Sequence, residues 1–275
     1  MESDAGRNYK ISANSLLKFM RKYEYLEDII QKMAIFPRYN FEYLDYLNLY
    51  YEGIRIERIA YPMVCFCDIP LHQLAPHAEG ENESGYGKYG IALSKSWGEQ
   101  KGLQPILYVN ENSELAKQFE LSFNAALELS SVEEKGKDLS SKMEDGLFEL
   151  FKYMKPNFGR MAENIDDKKN FHDEKEWRFI PKINERYAYN SYIDPIDQVN
   201  EYMLRIYSDA LRMLPKIALS FNVSDVKYIF VENDKSRRKL IDFIDRKRTG
   251  RKIKRVEKLN LISKIIVYDE IKGDW

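Results

Sequence analysis

The sequence predicts a mixed α+β fold in one domain spanning residues 1–275, and three observations lead to it. Hydrophobic residues make up 44% of the 275, enough to bury a substantial core. Strand-like and helix-like stretches follow one another irregularly, without the strict alternation of a doubly wound parallel sheet. No Pro/Gly/Ser-rich linker or break in composition divides the chain.

Taken in order, Leu26, Ile29, Ile30 and Met33 recur at helical spacing, so Glu24–Met33 is expected to be a helix, while the preceding LLKFM either opens it or forms a short strand. Met63–Cys67, rich in β-branched, aromatic and sulfur side chains and stopped by Pro70, reads as a buried strand. HQLAPHA gives a brief helical turn and Gly80–Gly90 a loop. IALSK and PILYVN are strands joined by a turn at SWGEQKGLQ. Apolar residues three and four apart make Asn112 to Lys155 a helical insertion. NIDDKKNFHDEKEWRFIPKI is a charged loop running into the strand EWRFI, and Gln198–Leu214 is an amphipathic helix. KIALSF and VKYIFV are strands, DKSRRKLIDFIDRKR is a helix and LISKIIVYDEI a last strand.

Forty-three Lys and Arg against 44 Asp and Glu leave a net charge of −1, so no global field draws the chain to nucleic acid or membrane. Two cysteines are too few for a disulfide framework. With no signal peptide and no long apolar run, a cytoplasmic location without a membrane partner is expected. The local exception is Arg246–Arg255, with seven cations in ten residues. It is the best candidate contact for nucleic acid or an acidic protein, and equally a solvated helix end and loop.

Three constellations could carry chemistry. Cys65, Cys67, His72 and His77 offer four soft ligands in thirteen residues, but C-x-C inside an apolar strand does not wrap a metal, and the favoured reading is two small hydrophobes pointing into a core with no metal bound. In HDEKEWRF, an extended backbone puts Glu174, Glu176 and Arg178 on one side. Such a trio can do general-base or oxocarbenium-stabilising work, or it can be the salt-bridged solvent face of an edge strand. The Gly85–Gly90 loop offers close backbone approach to a ligand through its glycines and stacking through Tyr86 and Tyr89, or serves as a flexible connector. No Walker, G-x-S-x-G or H-E-x-x-H sequence occurs.

The strings CFCDIPL (Cys65–Leu71), His77, YGKYGI (Tyr86–Ile91), Trp97-Gly98, PILYV (Pro105–Val109) and EWRF (Glu176–Phe179) occur in an order that resembles the AbiGi family of abortive phage resistance proteins, over roughly residues 15 to 270. The resemblance implies anti-phage defence by abortive infection. It also implies a protein partner, a toxin or other defence component, since the family is paired with a nucleotidyltransferase-like protein and assigned the antitoxin role. A more distant resemblance is to ADP-ribosyltransferases, carried by LLKFM, YLEDIIQKMAIFPRY, MVCFCD, HQLAPH, YGKYGIAL and EKEWRF in sequence order. It implies a mixed-sheet core of that type with a helical insertion, and an alternative function: glycosyl transfer from NAD to nucleic acid or protein. Glu176, then Glu174, would stabilise the oxocarbenium ion, with His77 as a further catalytic residue. Lys18, which stands where that core carries a His, would line the cofactor site with Phe66, Asp68, Tyr86, Tyr89 and Arg178.

Overall fold

In the computed structural model, which describes residues 13–51, 53–79, 85–132, 137–160, 168–183, 200–214, 216–246 and 253–273, LLKFM takes the extended form. It lies in the strand Ser15–Met20, with Leu16 and Leu17 buried. This strand belongs to the first of two compact units, built from Met1–Phe36, Cys65–Leu103 and Ala218–Trp275. It pairs antiparallel with Tyr89–Ser94, Leu17 facing Ala92, and through Leu17 it also meets Cys67 at the end of the strand Arg58–Cys67. Tyr89–Ser94 pairs antiparallel with Val226–Val231, which in turn runs parallel to Ile265–Val267. The sheet is therefore mixed, as expected.

The expected first helix forms at Tyr23–Lys32 and buries Tyr23, Leu26, Ile29 and Ile30. Met33, in the left-handed conformation at φ 50°, ends it. Against the sheet, Leu17, Leu74, Ala78, Ala92, Phe230 and Tyr268 pack as one core.

Three expectations fail in this unit for local reasons. SWGEQ is not a turn: Ser94 accepts a hydrogen bond from Trp97 N–H at 3.3 Å and caps a helix over Lys95–Gln100. LISKIIVYDEI is not one strand, because Glu257 accepts from the Lys254 N–H and starts a helix at Arg255–Ile262. Only Ile265–Val267 then pairs in the sheet before the chain turns helical again at Tyr268–Ile271. KIALSF pairs only at Leu219–Ser220, with Ala34–Ile35.

The second unit comprises Pro37–Val64 and Gln104–Ile217. Arg38–Tyr43 pairs antiparallel with the strand Arg58–Cys67, Tyr39 facing Pro62, and packs under the helix Glu201–Leu211, whose Ser208 Oγ accepts from Tyr39 N–H at 3.0 Å. Glu176–Phe179 lies beside Arg58–Cys67 and, on its other side, pairs antiparallel with Gln104–Pro105. It is not an edge.

The insertion is a hairpin of two helices, Glu114–Val132 and Lys137–Phe151, placed between the parallel strands Leu107–Val109 and Met154–Pro156. Phe123 fastens the helices together, with ring centroids 5.0 Å from Phe148 and 5.9 Å from Phe151 and Phe119. Phe151 meets Tyr61 edge-on at 6.1 Å, joining the hairpin to the strand Arg58–Cys67.

Candidate functional site

Alternation along a strand places Glu176 and Arg178 on one face, as predicted, but that face is interior and not solvated. Arg178 is 0% exposed, Glu174 3% and Glu176 4%. The segment before the strand is not extended. Asn170 caps a 3-10 turn over Phe171–Glu174, and Lys175 takes the left-handed conformation at φ 43°. Glu174 therefore does not follow the strand's alternation, yet its carboxylate reaches the same cation as that of Glu176.

That cation is Lys155, whose Nζ lies 3.2 Å from Glu174 Oε2 and 3.0 Å from Glu176 Oε2, and 4.2 Å from the centroid of the Phe171 ring. Lys169 closes the other Glu174 oxygen at 3.0 Å. Arg178 uses every edge of its guanidinium. Nε donates to Glu176 Oε1 at 2.8 Å, one terminal nitrogen to Tyr61 Oη at 2.6 Å and the Lys152 carbonyl at 2.7 Å, and the other to Glu42 Oε1 at 2.8 Å. Tyr61 Oη donates a hydrogen bond to the Lys152 carbonyl at 3.1 Å, and Glu176 N–H donates to Tyr108 Oη at 2.7 Å.

Three carboxylates, Glu42, Glu174 and Glu176, thus face three cations, Lys155, Lys169 and Arg178. Buried charges persist only where partners and hydrogen bonds offset their desolvation, and here both are supplied. Burial pushes the Glu42 carboxyl up, Arg178 opposing it, and burial holds the Tyr61 and Tyr108 phenols above their usual range, so both stay protonated. The Lys152 carbonyl and Lys155 lie just beyond the end of the helix Lys137–Phe151, so the cluster grips the root of the hairpin. This also explains why the predicted helix stops before Lys155: the Lys152 carbonyl is bound by Arg178, and Met154–Pro156 joins a strand.

A cavity of about 70 Å³ touches the cluster at Glu42 and Lys155 and is also lined by Tyr46, whose hydroxyl is buried without a hydrogen-bond partner. A wider, open hollow of about 560 Å³ is lined by Tyr108, Asn157, Phe158, Asn170 and His172.

The remaining predicted site residues fall in the first unit. Phe66 is fully buried and meets Trp97 edge-on at 5.8 Å, so it is a core residue. Asp68 is buried against Lys95, Oδ2 to Nζ 2.7 Å, with Oδ1 lacking a hydrogen-bond partner. Lys18 is half-buried opposite Ile91. Tyr89 Oη donates to Glu232 at 3.1 Å. Tyr86 stacks on His77 with centroids 4.7 Å apart and planes at 20°.

The cysteine reading needs correcting. Alternation sends Val64 and Phe66 into the core and leaves Cys65 and Cys67 half-exposed on the other face, with Cys67 Sγ 2.9 Å from His77 Nε2. Among the described residues no group of three or more His, Cys, Asp or Glu is placed to hold a metal, and no helix is long and apolar enough to cross a membrane. Of the basic run Arg246–Arg255, residues 247–252 lie outside the described residues.

Glu42, Tyr61, Tyr108, Lys152 and Lys155 were not predicted. Their only sequence signal is that each polar group stands in or beside an apolar, strand-like run.

Residues 33–232, which contain the whole ion cluster and the hairpin, match the family described as "Putative abortive phage resistance protein AbiGi, antitoxin". The chain belongs to the AbiGi family. The abortive phage resistance protein AbiGi of Lactococcus lactis subsp. cremoris is 40% identical over 250 residues, covering 88% of this chain and 100% of that protein. Abortive phage resistance is therefore the function at its coarse level. No solved structure matches the AbiGi chain.

Proposed function

We propose that this AbiGi chain serves abortive infection as the antitoxin component, holding a toxin protein on the outer face of its helical hairpin, with the EWRF ion cluster as the anchor of that hairpin. The observation that carries the reading is a set of large apolar side chains turned to solvent on both helices. Leu115, Leu121 and Leu129 on the first, and Met143 and Leu150 on the second, are each 49 to 59% exposed. The three leucines fall within an arc of roughly 120° on one side of their helix, and Met143 and Leu150, seven apart, share a face of theirs. The opposite side of the first helix buries Ala116, Phe123 and Leu127. Apolar side chains grouped this way on a surface mark a protein contact, and the family's antitoxin description supplies the kind of partner.

The carboxylates support the same reading. A glycosyl-transfer residue must meet its substrate, whereas Glu174 and Glu176 are buried and each bonded to two cations.

The test is a double variant, Leu121→Glu with Leu150→Lys, which leaves the net charge unchanged. Each position is exposed, so folding stability should hold within about 0.5 kcal/mol by urea titration. Affinity for the co-expressed toxin partner should fall by about 30-fold or more, the loss of one central contact worth about 2 kcal/mol. Unchanged affinity would refute the docking face.

A further inference from the structure

We propose that Cys67 and His77 form a thiolate–imidazolium pair, a nucleophilic site open to covalent modification by a peroxide. Cys67 Sγ lies 2.9 Å from His77 Nε2, close enough for the thiol proton to pass to the ring, and Cys67 is half-buried. A thiolate beside a protonated imidazole is the arrangement that activates cysteine nucleophiles.

The surroundings hold the imidazole in place. Tyr86 stacks flat on it and Phe19 packs against it at 5.1 Å. The loop that delivers Tyr86 is tied to the helix Leu74–Glu79 by three main-chain bonds: Gly85 N–H to Glu79 O, Tyr86 N–H to His77 O and Gly87 N–H to Ala78 O. It can come this close because Gly85 has no side chain: a Cβ there would collide with the Ala78 and Glu79 carbonyls. Gly87, at φ 99°, likewise passes the Met20 carbonyl where a Cβ would collide. The glycines of this loop thus admit the chain's own backbone. Among the described residues near the pair in the chain, Asp68, next to Cys67, pairs with Lys95, Glu79 lies 4.0 Å from Lys88, which also lies 3.5 Å from Glu232, and Arg21 donates to Gly85 O.

With hydrogen peroxide the step balances as follows. The thiolate sulfur attacks one peroxide oxygen, the O–O bond breaks, and the departing hydroxide takes the proton from His77 and leaves as water. The sulfur is oxidised by two electrons to a sulfenic acid and the peroxide is reduced.

Cys65, two residues away on the same face of the strand and likewise half-buried, is the second thiol with which Cys67 is compared. The experiment measures iodoacetamide alkylation against pH by intact mass, on the full chain carrying Cys65→Ser or Cys67→Ser so that each thiol is read alone. At pH 6 Cys67 is expected to react about tenfold faster than Cys65. Its thiolate fraction rises by nearly two powers of ten, and the lower nucleophilicity of an acidic thiol takes back about one. Its rate–pH midpoint should fall about two units below the ordinary 8.5 or so. Dimedone should trap a sulfenic acid at Cys67, and not at Cys65, after peroxide treatment. His77→Gln in the Cys65→Ser background should return the midpoint to the ordinary value. Equal rates and midpoints for the two thiols would overturn the proposal, and that comparison stands without the His77 variant.

Discussion

Replacing Arg178 by Met is expected to cost about 3–5 kcal/mol of folding stability, read as a large fall in the urea midpoint, because it strips the cation from the middle of a dry cluster. Glu42 and one oxygen of Glu176 lose their partner, and the Tyr61 hydroxyl and Lys152 carbonyl lose a donor. The apolar replacement fills the space and satisfies none of them. The loss should depend on pH. With Arg178 gone, the largest charge opposing the burial that pushes the Glu42 carboxyl up is lost and only Lys155 still opposes it, so the folded variant binds a proton that the unfolded chain releases. A group with a raised folded pKa adds stability below its unfolded pKa and loses it as pH rises through the folded one, so the deficit should be smaller at about pH 5 than at about pH 8.

Phe123→Ala is expected to destabilise by about 3–5 kcal/mol, the range for truncating a buried aromatic. Phe123 is 1% exposed and touches Phe119, Phe148 and Phe151, so its loss opens a cavity at the junction of both helices with the ring that meets Tyr61. The outward leucines lie on the same helix. Partner affinity should therefore fall together with stability, in contrast to Leu121→Glu with Leu150→Lys, where affinity alone should fall. Differential denaturation and binding titrations on the two variants separate these cases.

What the sequence conveyed, and what it withheld, follows the range of the interactions concerned. The helix at Tyr23–Lys32 was legible because Leu26, Ile29 and Ile30 repeat at the helical period. The pairing of Glu176 and Arg178 was legible because two residues along a strand share a face. The short helix after Ser94 was missed although its Ser N-cap was in plain view, since Trp and Gly obscured the periodicity. The split of LISKIIVYDEI was missed because three residues suffice for a parallel pair, while the flanking residues are claimed by helices.

The burial of EWRF could not be read locally. Charged residues in succession ordinarily mark a solvated face, and besides Glu176 the groups that satisfy Arg178 include a carboxylate and a phenol 136 and 117 residues away, Glu42 and Tyr61. Only tertiary structure brings them together. Conversely, the C-x-C pattern was read as core because its neighbours are apolar, whereas the alternation assigns the core to Val64 and Phe66 and the other face to the cysteines.

The most direct test of the account is amide hydrogen exchange on the chain with and without its toxin partner. Slowing by about tenfold or more confined to residues 114–132 and 137–151 is the predicted result. Unchanged hairpin amides, with protection appearing elsewhere on the chain, would contradict it.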